Sequence, residues 1–173
     1  IGLYGWSGCG KTDLICRLVK YFSNFYVVAT LKHTHHNVKI DKKNKDSYKH
    51  RVSGAHEVLI WGENNWSLIH NGKKKENVQF SELCKKFSKD TDLLFVEGFK
   101  NGKFPKIEIY NSNLKKKLIS HDNSLTVAVV YDKIDDNISK LDLPLFAFTE
   151  TEKISEFIIN YLELDKNDEL FRP

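Results

Sequence analysis

The apolar positions of the chain fall into short runs that predict β-strands. A strand buried on both faces needs no polar positions, so unbroken β-branched and aromatic runs predict buried strands at 25–31, 92–99 and 124–131. The other predicted strands are a short buried one at 1–5, a hairpin of EVLIW (57–61) and WSLIH (66–70), an alternating and therefore half-exposed KIEIY (106–110), and 143–148.

Helical spacing of apolar residues marks the segments between these strands. KTDLICRLVKYF (11–22) and ETEKISEFIINYLEL (150–164) carry apolar residues three and four positions apart, which predicts amphipathic helices. The shorter predicted elements are a helix within 47–55 that stops near Gly54, a helix over 80–87 opened by Ser81 or its neighbours, and a long polar loop over 32–49.

Strands and helices alternate along most of the chain, which predicts a three-layer α/β fold with a mainly parallel sheet and a β-hairpin extension. With 173 residues, of which 40% are hydrophobic and 29% charged, we expect a single domain over 1–173. The three cysteines form no CxxC pair, and no apolar run reaches the roughly 18 residues of a membrane span. We therefore expect a cytoplasmic protein without disulfides and without membrane association.

Lysines cluster in three runs, and the formal net charge is +4; the runs lie at 39–45, 72–77 and 114–118. Such runs either bind the phosphates of a nucleic acid or form solvated loops and hairpin tips. No aromatic platform is interleaved with them along the sequence. We therefore favour solvated loops and expect no nucleic-acid binding.

The segment GWSGCGKT, residues 5–12, matches the pattern G-x-x-x-x-G-K-[ST] between a predicted strand and a predicted helix. Its glycines allow successive backbone N–H groups to point inward, and the helix N-terminus adds partial positive charge. Lys11 can then reach the β- and γ-phosphates, and Thr12 can offer its hydroxyl to Mg²⁺. The alternative is a plain turn with an exposed lysine. The motif favours a P-loop NTPase fold that binds a nucleoside triphosphate.

Two acidic residues, one that ends a predicted strand and one in the segment after another, are further candidates. Glu97 ends the apolar run LLFVE, where a P-loop protein places a carboxylate for magnesium; a salt-bridged structural glutamate is the alternative. Asp135 ends DKID (132–135), which resembles the [NT]-K-x-D tetrapeptide with which GTPases recognise guanine. A polar turn explains DKID equally well.

Two polar segments follow the second predicted strand. In LKHTHHNVKID (31–41), His33, His35 and His36 could bind a transition metal, phosphates or a second substrate. In KDSYKHRVSGA (45–55), Arg51 either forks onto phosphate oxygens or lies in a solvated, partly helical loop.

The phosphate-loop segment GWSGCGKT and these two polar segments are followed by LLFVEGFKNGKFPKIEI (93–109). Through these four segments the chain resembles the molybdopterin-guanine dinucleotide biosynthesis protein B family (MobB), at least over residues 1–110. The resemblance implies a GTP-binding protein with weak GTPase activity and with GTP and Mg²⁺ as cofactors. Such a protein assists the guanylyltransferase that joins GMP to molybdopterin during molybdenum cofactor maturation. The resemblance also implies a homodimer that shares an extended sheet, and a molybdopterin-type cofactor as a possible ligand.

The resemblance also assigns roles to individual residues. The implied nucleotide ligands are Trp6, Ser7, Gly8, Cys9, Gly10, Lys11, Thr12, Lys32, His33 and Asp46, with His35 on the same phosphate-facing side; Asp135 is a further candidate from the DKID tetrapeptide alone. The implied metal ligands are Thr12, Glu97 and Asp41, and the implied catalytic residues are Lys11, Asp41 and Arg51. A pterin-bearing partner or product is expected to approach Lys100, Pro105, Lys106 and Glu108. Asn37 and Asn44 depart from the family pattern.

Two other functions stay open. A nickel-insertion GTPase or metallochaperone would use His33, His35 and His36, although the GFK…PKIE element weighs against it. A small-molecule kinase would use Asp41 or Asp46 as base. Kinases usually carry an arginine-rich lid, and the chain has only three arginines, so the kinase hypothesis is the weaker one.

Overall fold

The structure is a computed structural model that describes residues 1–34, 38, 40–72 and 78–165. Its strands are β1 (Gly2–Tyr4), β2 (Val28–Lys32), β3 (Glu57–Trp61), β4 (Trp66–His70), β5 (Leu93–Glu97), β6 (Lys106–Tyr110), β7 (Thr126–Tyr131) and β8 (Leu145–Ala147). Its α-helices are α1 (Lys11–Phe22), α2 (Asp46–Val52), α3 (Phe80–Cys84) and α4 (Thr151–Leu162). In the described part of the chain, no helix is both long and apolar enough to cross a membrane.

The chain forms two compact units. The larger unit contains residues 1–33 and the chain from 86 onward, and the smaller one contains residues 34–85. The expectation of a single domain over 1–173 stays a prediction.

The larger unit is built on a six-stranded sheet in the order β2-β5-β1-β6-β7-β8. All of its paired strands run parallel, so their carboxyl ends lie at one edge of the sheet. The register pairs Leu3 with Glu97, which brings the end of β5 beside the segment that follows β1. The predicted α/β class with a mainly parallel sheet is therefore confirmed.

Helices α1 and α4 cover one face of this sheet. Leu14 and Phe22 of α1 and Ile158 of α4 are fully buried in one cluster with Ile107 and Ile109 of β6. The other face is covered by the segment after β5, whose carbonyl groups bind Lys106, and by the 3-10 turn Ser120–Asp122, beside which backbone N–H groups bind Glu108. The sheet therefore lies between a helical layer and a layer of loops and turns.

The smaller unit contains the predicted hairpin, which forms a separate two-stranded sheet. Strands β3 and β4 pair antiparallel, from Glu57 opposite His70 to Trp61 opposite Trp66. Both strands match their predicted bounds, and helix α2 confirms the short helix before Gly54.

Three local predictions are wrong. Strand β2 begins at Val28 and is only partly buried, because it forms an edge of the sheet. Strand β6 is buried at all five positions, because it pairs with β1 and β7 and is covered on both faces. Helix α3 ends at Cys84 and not at residue 87, and a capping box of Gln79 and Glu82, two neighbours of Ser81, opens it.

Candidate functional site

The loop between β1 and α1 has the backbone that a phosphate cradle needs. Gly5, Gly8 and Gly10 have φ angles of 149°, 79° and 103°. Residues other than glycine rarely adopt such positive φ angles. A Cβ at Gly5 would lie 2.4 Å from the carbonyl oxygen of Ile109, and one at Gly10 would lie 2.8 Å from the Phe148 ring. Helix α1 begins at Lys11, so its amino end faces the loop. Ser7 is exposed, whereas Cys9 is buried.

The Lys11 side chain curls back over this loop. Its Nζ donates to the carbonyl oxygens of Trp6 at 2.7 Å and Gly5 at 3.2 Å, and it lies 3.7 Å from Cys9 Sγ. These acceptors are neutral, whereas phosphate oxygens are charged and make stronger hydrogen bonds with an ammonium group. Lys11 is therefore placed to exchange the loop carbonyls for a phosphate.

Glu97 joins the amino end of α1 to the carboxyl ends of two strands. Its Oε1 accepts from Thr12 Oγ1 at 3.0 Å and forms an ion pair with Lys32 Nζ, also at 3.0 Å. The Glu97 side chain is only 13% exposed. A hydroxyl and a carboxylate oxygen are hard ligands that fit Mg²⁺. The structure thus brings together the predicted magnesium ligands Thr12 and Glu97 and also shows the salt bridge of the alternative interpretation.

His33 follows Lys32 at the same edge. Its backbone N–H donates to the carbonyl oxygen of Glu97 at 3.0 Å, and its ring stacks on Phe99 with centroids 4.9 Å apart. His35 and His36 lie outside the described residues.

Cys9 is a thiol within the phosphate loop. It is 3% exposed, and burial raises its pKa above the ordinary value of 9.0, although the ammonium group of Lys11 opposes the shift. The Cys9 thiol is therefore protonated at neutral pH and is a poor nucleophile.

Asp41 and Arg51, two predicted catalytic residues, bind each other in the smaller unit. Arg51 Nη2 lies 3.0 Å from Asp41 Oδ1, and Arg51 Nε donates to Asp41 Oδ2 at 3.2 Å, which is a two-pronged ion pair. The Asp41 side chain is 4% exposed, and the hydrogen bond to Asp41 raises the pKa of Arg51. Asp46 lies at the start of α2, where it forms an exposed ion pair with Lys49. The functions assigned to these residues stay predictions.

The contacts of Asp135 favour a polar turn over guanine recognition. One carboxylate oxygen accepts from the backbone N–H groups of Asn137 and Ile138, and the other accepts from the Tyr110 hydroxyl at 2.6 Å. The Tyr110 hydrogen bond lowers the pKa of Asp135. A guanine would have to displace these donors.

Lys106 and Glu108 have buried side chains, and the approach of a pterin-bearing molecule to this element stays a prediction. Both are buried, because β6 is covered on both faces. Lys106 Nζ donates to the carbonyl oxygens of Lys100 at 2.8 Å and Gly102 at 2.7 Å, and burial lowers its pKa. Pro105 accepts from the backbone N–H of Gly2.

One cluster beside the phosphate loop joins two predicted residues, Trp6 and Lys100, to Lys116 and Lys117, which are absent from the predicted set. Lys100 Nζ lies 4.1 Å from the Trp6 ring centre, and Lys116 Nζ lies 5.6 Å from it. Trp6 Nε1 donates to the carbonyl oxygen of Lys117 at 2.8 Å. We call Trp6, Lys100, Lys116 and Lys117 the Trp6–lysine surface. An aromatic ring therefore does lie among the lysines of 114–118, contrary to the sequence argument.

The fold and the glycine loop define the class of protein. A parallel α/β sheet whose first strand leads through a G-x-x-x-x-G-K-T loop into a helix is that of a P-loop nucleotide-binding protein. The family model for MobB, described as molybdopterin guanine dinucleotide synthesis protein B, matches residues 1–132. The chain belongs to this family.

Individual relatives agree with the family model. The chain is similar to the molybdopterin-guanine dinucleotide biosynthesis adapter protein of Haemophilus influenzae, with 31% identity over 94% of this chain and 88% of the relative. The Escherichia coli adapter protein is 27% identical over 91% and 90% of the two chains.

Solved structures of MobB proteins share the fold. One crystal structure of molybdopterin-guanine biosynthesis protein B has a TM-score of 0.68 and 26% identity, covering 94% of this chain and 97% of that one. Bacillus subtilis MobB has a TM-score of 0.70 at 22% identity, covering 92% and 94% of the two chains.

Proposed function

We propose that this protein binds GTP–Mg²⁺ at the loop of residues 5–12 and acts as an adapter in molybdopterin guanine dinucleotide synthesis. The observation that carries the proposal is the hydrogen bond from the Thr12 hydroxyl to the Glu97 carboxylate, beside the glycine loop. These two oxygens would hold Mg²⁺, which would neutralise phosphate charge beside Lys11. The implied partner is the guanylyltransferase that joins GMP to molybdopterin.

We expect slow hydrolysis, because an arginine finger must be free to bind the transferred phosphate and both described arginines are held by other groups. Arg17 donates to Asp13 and to the carbonyl oxygen of Phe148, and its guanidinium lies 4.7 Å from the Phe148 ring centre. Arg51 is held by Asp41. Neither arginine can stabilise a transition state without losing these contacts. Slow hydrolysis of this kind suits an adapter better than a fast enzyme.

We also propose a homodimer formed through the β3–β4 hairpin. Trp61 is 83% exposed and Trp66 62% exposed, and the two face each other across the strands. Leu59 and Leu68, the next pair on the same face, are also exposed. An apolar strip of this kind usually marks a protein interface.

We propose a cytoplasmic location, which suits the three free cysteines.

The nickel-insertion hypothesis receives no support from the comparisons. In the described ranges, no group of three or more His, Cys, Asp or Glu side chains is placed to hold a metal ion.

Calorimetric titration of the purified protein with GTP, ATP and CTP, each with and without Mg²⁺, tests the proposed function. We expect micromolar GTP binding that Mg²⁺ strengthens. Absence of nucleotide binding would overturn the proposal, and a preference for ATP would overturn its guanine part. A pull-down of the guanylyltransferase with and without GTP then tests the adapter function.

A further inference from the structure

The Trp6–lysine surface gathers positive charge from distant parts of the chain. Trp6 belongs to the phosphate loop, Lys100 follows β5, and Lys116 and Lys117 follow the 3-10 turn Ser112–Leu114. Trp6 is 36% exposed, and both Lys116 and Lys117 are exposed. The surface is therefore accessible and adjoins the candidate nucleotide site.

Specific contacts hold the three segments together. The buried ammonium group of Lys106 binds the carbonyl oxygen of Lys100, which anchors the backbone that carries the Lys100 side chain. The indole N–H of Trp6 binds the carbonyl oxygen of Lys117, and a Cβ at Gly8 would lie 3.9 Å from Leu114. These anchors place the lysines beside one aromatic ring before any partner arrives, which reduces the entropy lost on binding.

The gathered charge lacks acidic partners within the described chain. None of the carboxylates that the structure describes forms an ion pair with Lys100, Lys116 or Lys117. The ammonium groups of Lys100 and Lys116 both lie close to the Trp6 ring, so they are separated by no more than about 10 Å, one Debye length in 0.1 M salt. An anionic ligand would relieve their mutual repulsion.

We propose that the Trp6–lysine surface docks a carboxylate-rich surface of a partner protein. This inference rests on the proposed adapter function and gives that function a binding surface. A single aromatic ring, whose N–H is already bound and whose ring carries an ammonium group, is not the row of stacking platforms that single-stranded nucleic acid uses. Charge complementarity with an exposed tryptophan at the centre instead fits a protein interface.

Fluorescence anisotropy with a fluorescein-labelled deca-glutamate peptide tests the proposal on the full chain. We compare the wild type with a Lys116→Glu, Lys117→Glu double variant and with a Lys85→Glu, Lys86→Glu control that changes the net charge equally. Peptide affinity should fall at least about tenfold in the first variant, because each attraction becomes a repulsion of similar size, and less than about twofold in the control. A Lys116→Gln, Lys117→Gln variant should show an intermediate loss.

Four results would each overturn the proposal. In the first three, the wild type fails to bind the peptide, the two Glu variants lose equal affinity, or a ten-nucleotide single-stranded RNA binds more tightly than the peptide. In the fourth, the Lys116→Glu, Lys117→Glu variant loses GTP affinity to the same extent as peptide affinity. The last would assign the lysines to the nucleotide. If the wild type binds the peptide at these lysines but binds no GTP, the docking surface stands and the proposed nucleotide function fails. Unchanged thermal unfolding of the variants confirms that they are folded.

Discussion

At the scale of single residues, Glu97 shows what position in the sequence can and cannot predict. A carboxylate at the end of an apolar strand needs a partner, and this rule identified Glu97 as a candidate beside Thr12. The ion pair with Lys32 could not be predicted in the same way, because it depends on β2 and β5 pairing in the register that sets Lys32 opposite Glu97. That register joins residues far apart in the chain.

The Glu97→Gln substitution tests the magnesium function. The amide is nearly isosteric with the carboxylate but carries no charge for Mg²⁺ or Lys32. We expect the affinity for GTP in Mg²⁺ to fall at least about tenfold, whereas affinity in EDTA should change little. Calorimetry measures both. Glu152→Gln, on the exposed side of α4, is the control. An equal loss in EDTA would show that Glu97 acts on the loop structure instead.

The thiols should differ in reactivity. Cys9 is buried with a raised pKa, whereas Cys16 is exposed on α1. Iodoacetamide at pH 7.5 should therefore modify Cys16 first, and Cys9 should react at a useful rate only as the pH rises above its ordinary pKa of 9.0. Peptide mass mapping follows each site, and a Cys16→Ser, Cys84→Ser double variant isolates Cys9, because the chain has three free cysteines. GTP should slow the remaining reaction. Equal rates at pH 7.5 would contradict the burial of Cys9.

At the scale of elements, local periodicity predicted helices α1 and α4 and the hairpin well but failed for β6. The alternation in KIEIY is typical of a strand with one wet face. The structure instead buries the polar face, because the chain's own backbone supplies partners there: carbonyl groups for Lys106 and N–H groups for Glu108. Alternation reports which face is polar, and only the tertiary fold decides whether that face meets water.

Glu108→Gln tests this account of β6. The Glu108 carboxylate accepts from the backbone N–H groups of Ile119 and Ser120 at 2.8 and 2.7 Å and is fully buried. An amide has one acceptor oxygen, so its NH₂ group would face a donor. We expect the free energy of unfolding to fall by about 1–3 kcal/mol. Urea unfolding measures it, with Glu152→Gln as the exposed control. A loss no larger than the control's would mean that the two hydrogen bonds contribute little.

At the scale of the whole molecule, the sequence predicted the class of fold but not the neighbours that the fold creates. Trp6 and the lysines of 114–118 are more than a hundred positions apart in the sequence. They meet because the segment after β6 returns over the phosphate loop, as the Trp6–Lys117 hydrogen bond shows. The order β2-β5-β1-β6-β7-β8 is likewise non-local. For this reason we interpret the lysines of 114–118 as part of a binding surface and no longer as a solvated loop.

Assembly is the last property at this scale. If the hairpin face with Leu59, Leu68 and Trp61 forms a dimer interface, one charge there should disrupt association. Leu59→Lys would place an ammonium group in the apolar interface of both copies, and we expect the association constant to fall at least about thirtyfold. Ile60→Lys is the matched control, because Ile60 neighbours Leu59 on the same strand but points to the opposite face.

Sedimentation velocity over a range of concentrations measures this effect. The wild type and Ile60→Lys should sediment as dimers at tens of micromolar, where Leu59→Lys should be mainly monomeric, and circular dichroism should show that all three are folded. A monomeric wild type would remove the dimer proposal. The Leu59 and Ile60 side chains occupy opposite faces of the hairpin, and only one face carries the exposed tryptophan pair. Equal weakening of the dimer by both substitutions would therefore show that the interface is not confined to the tryptophan face and lies elsewhere on the hairpin.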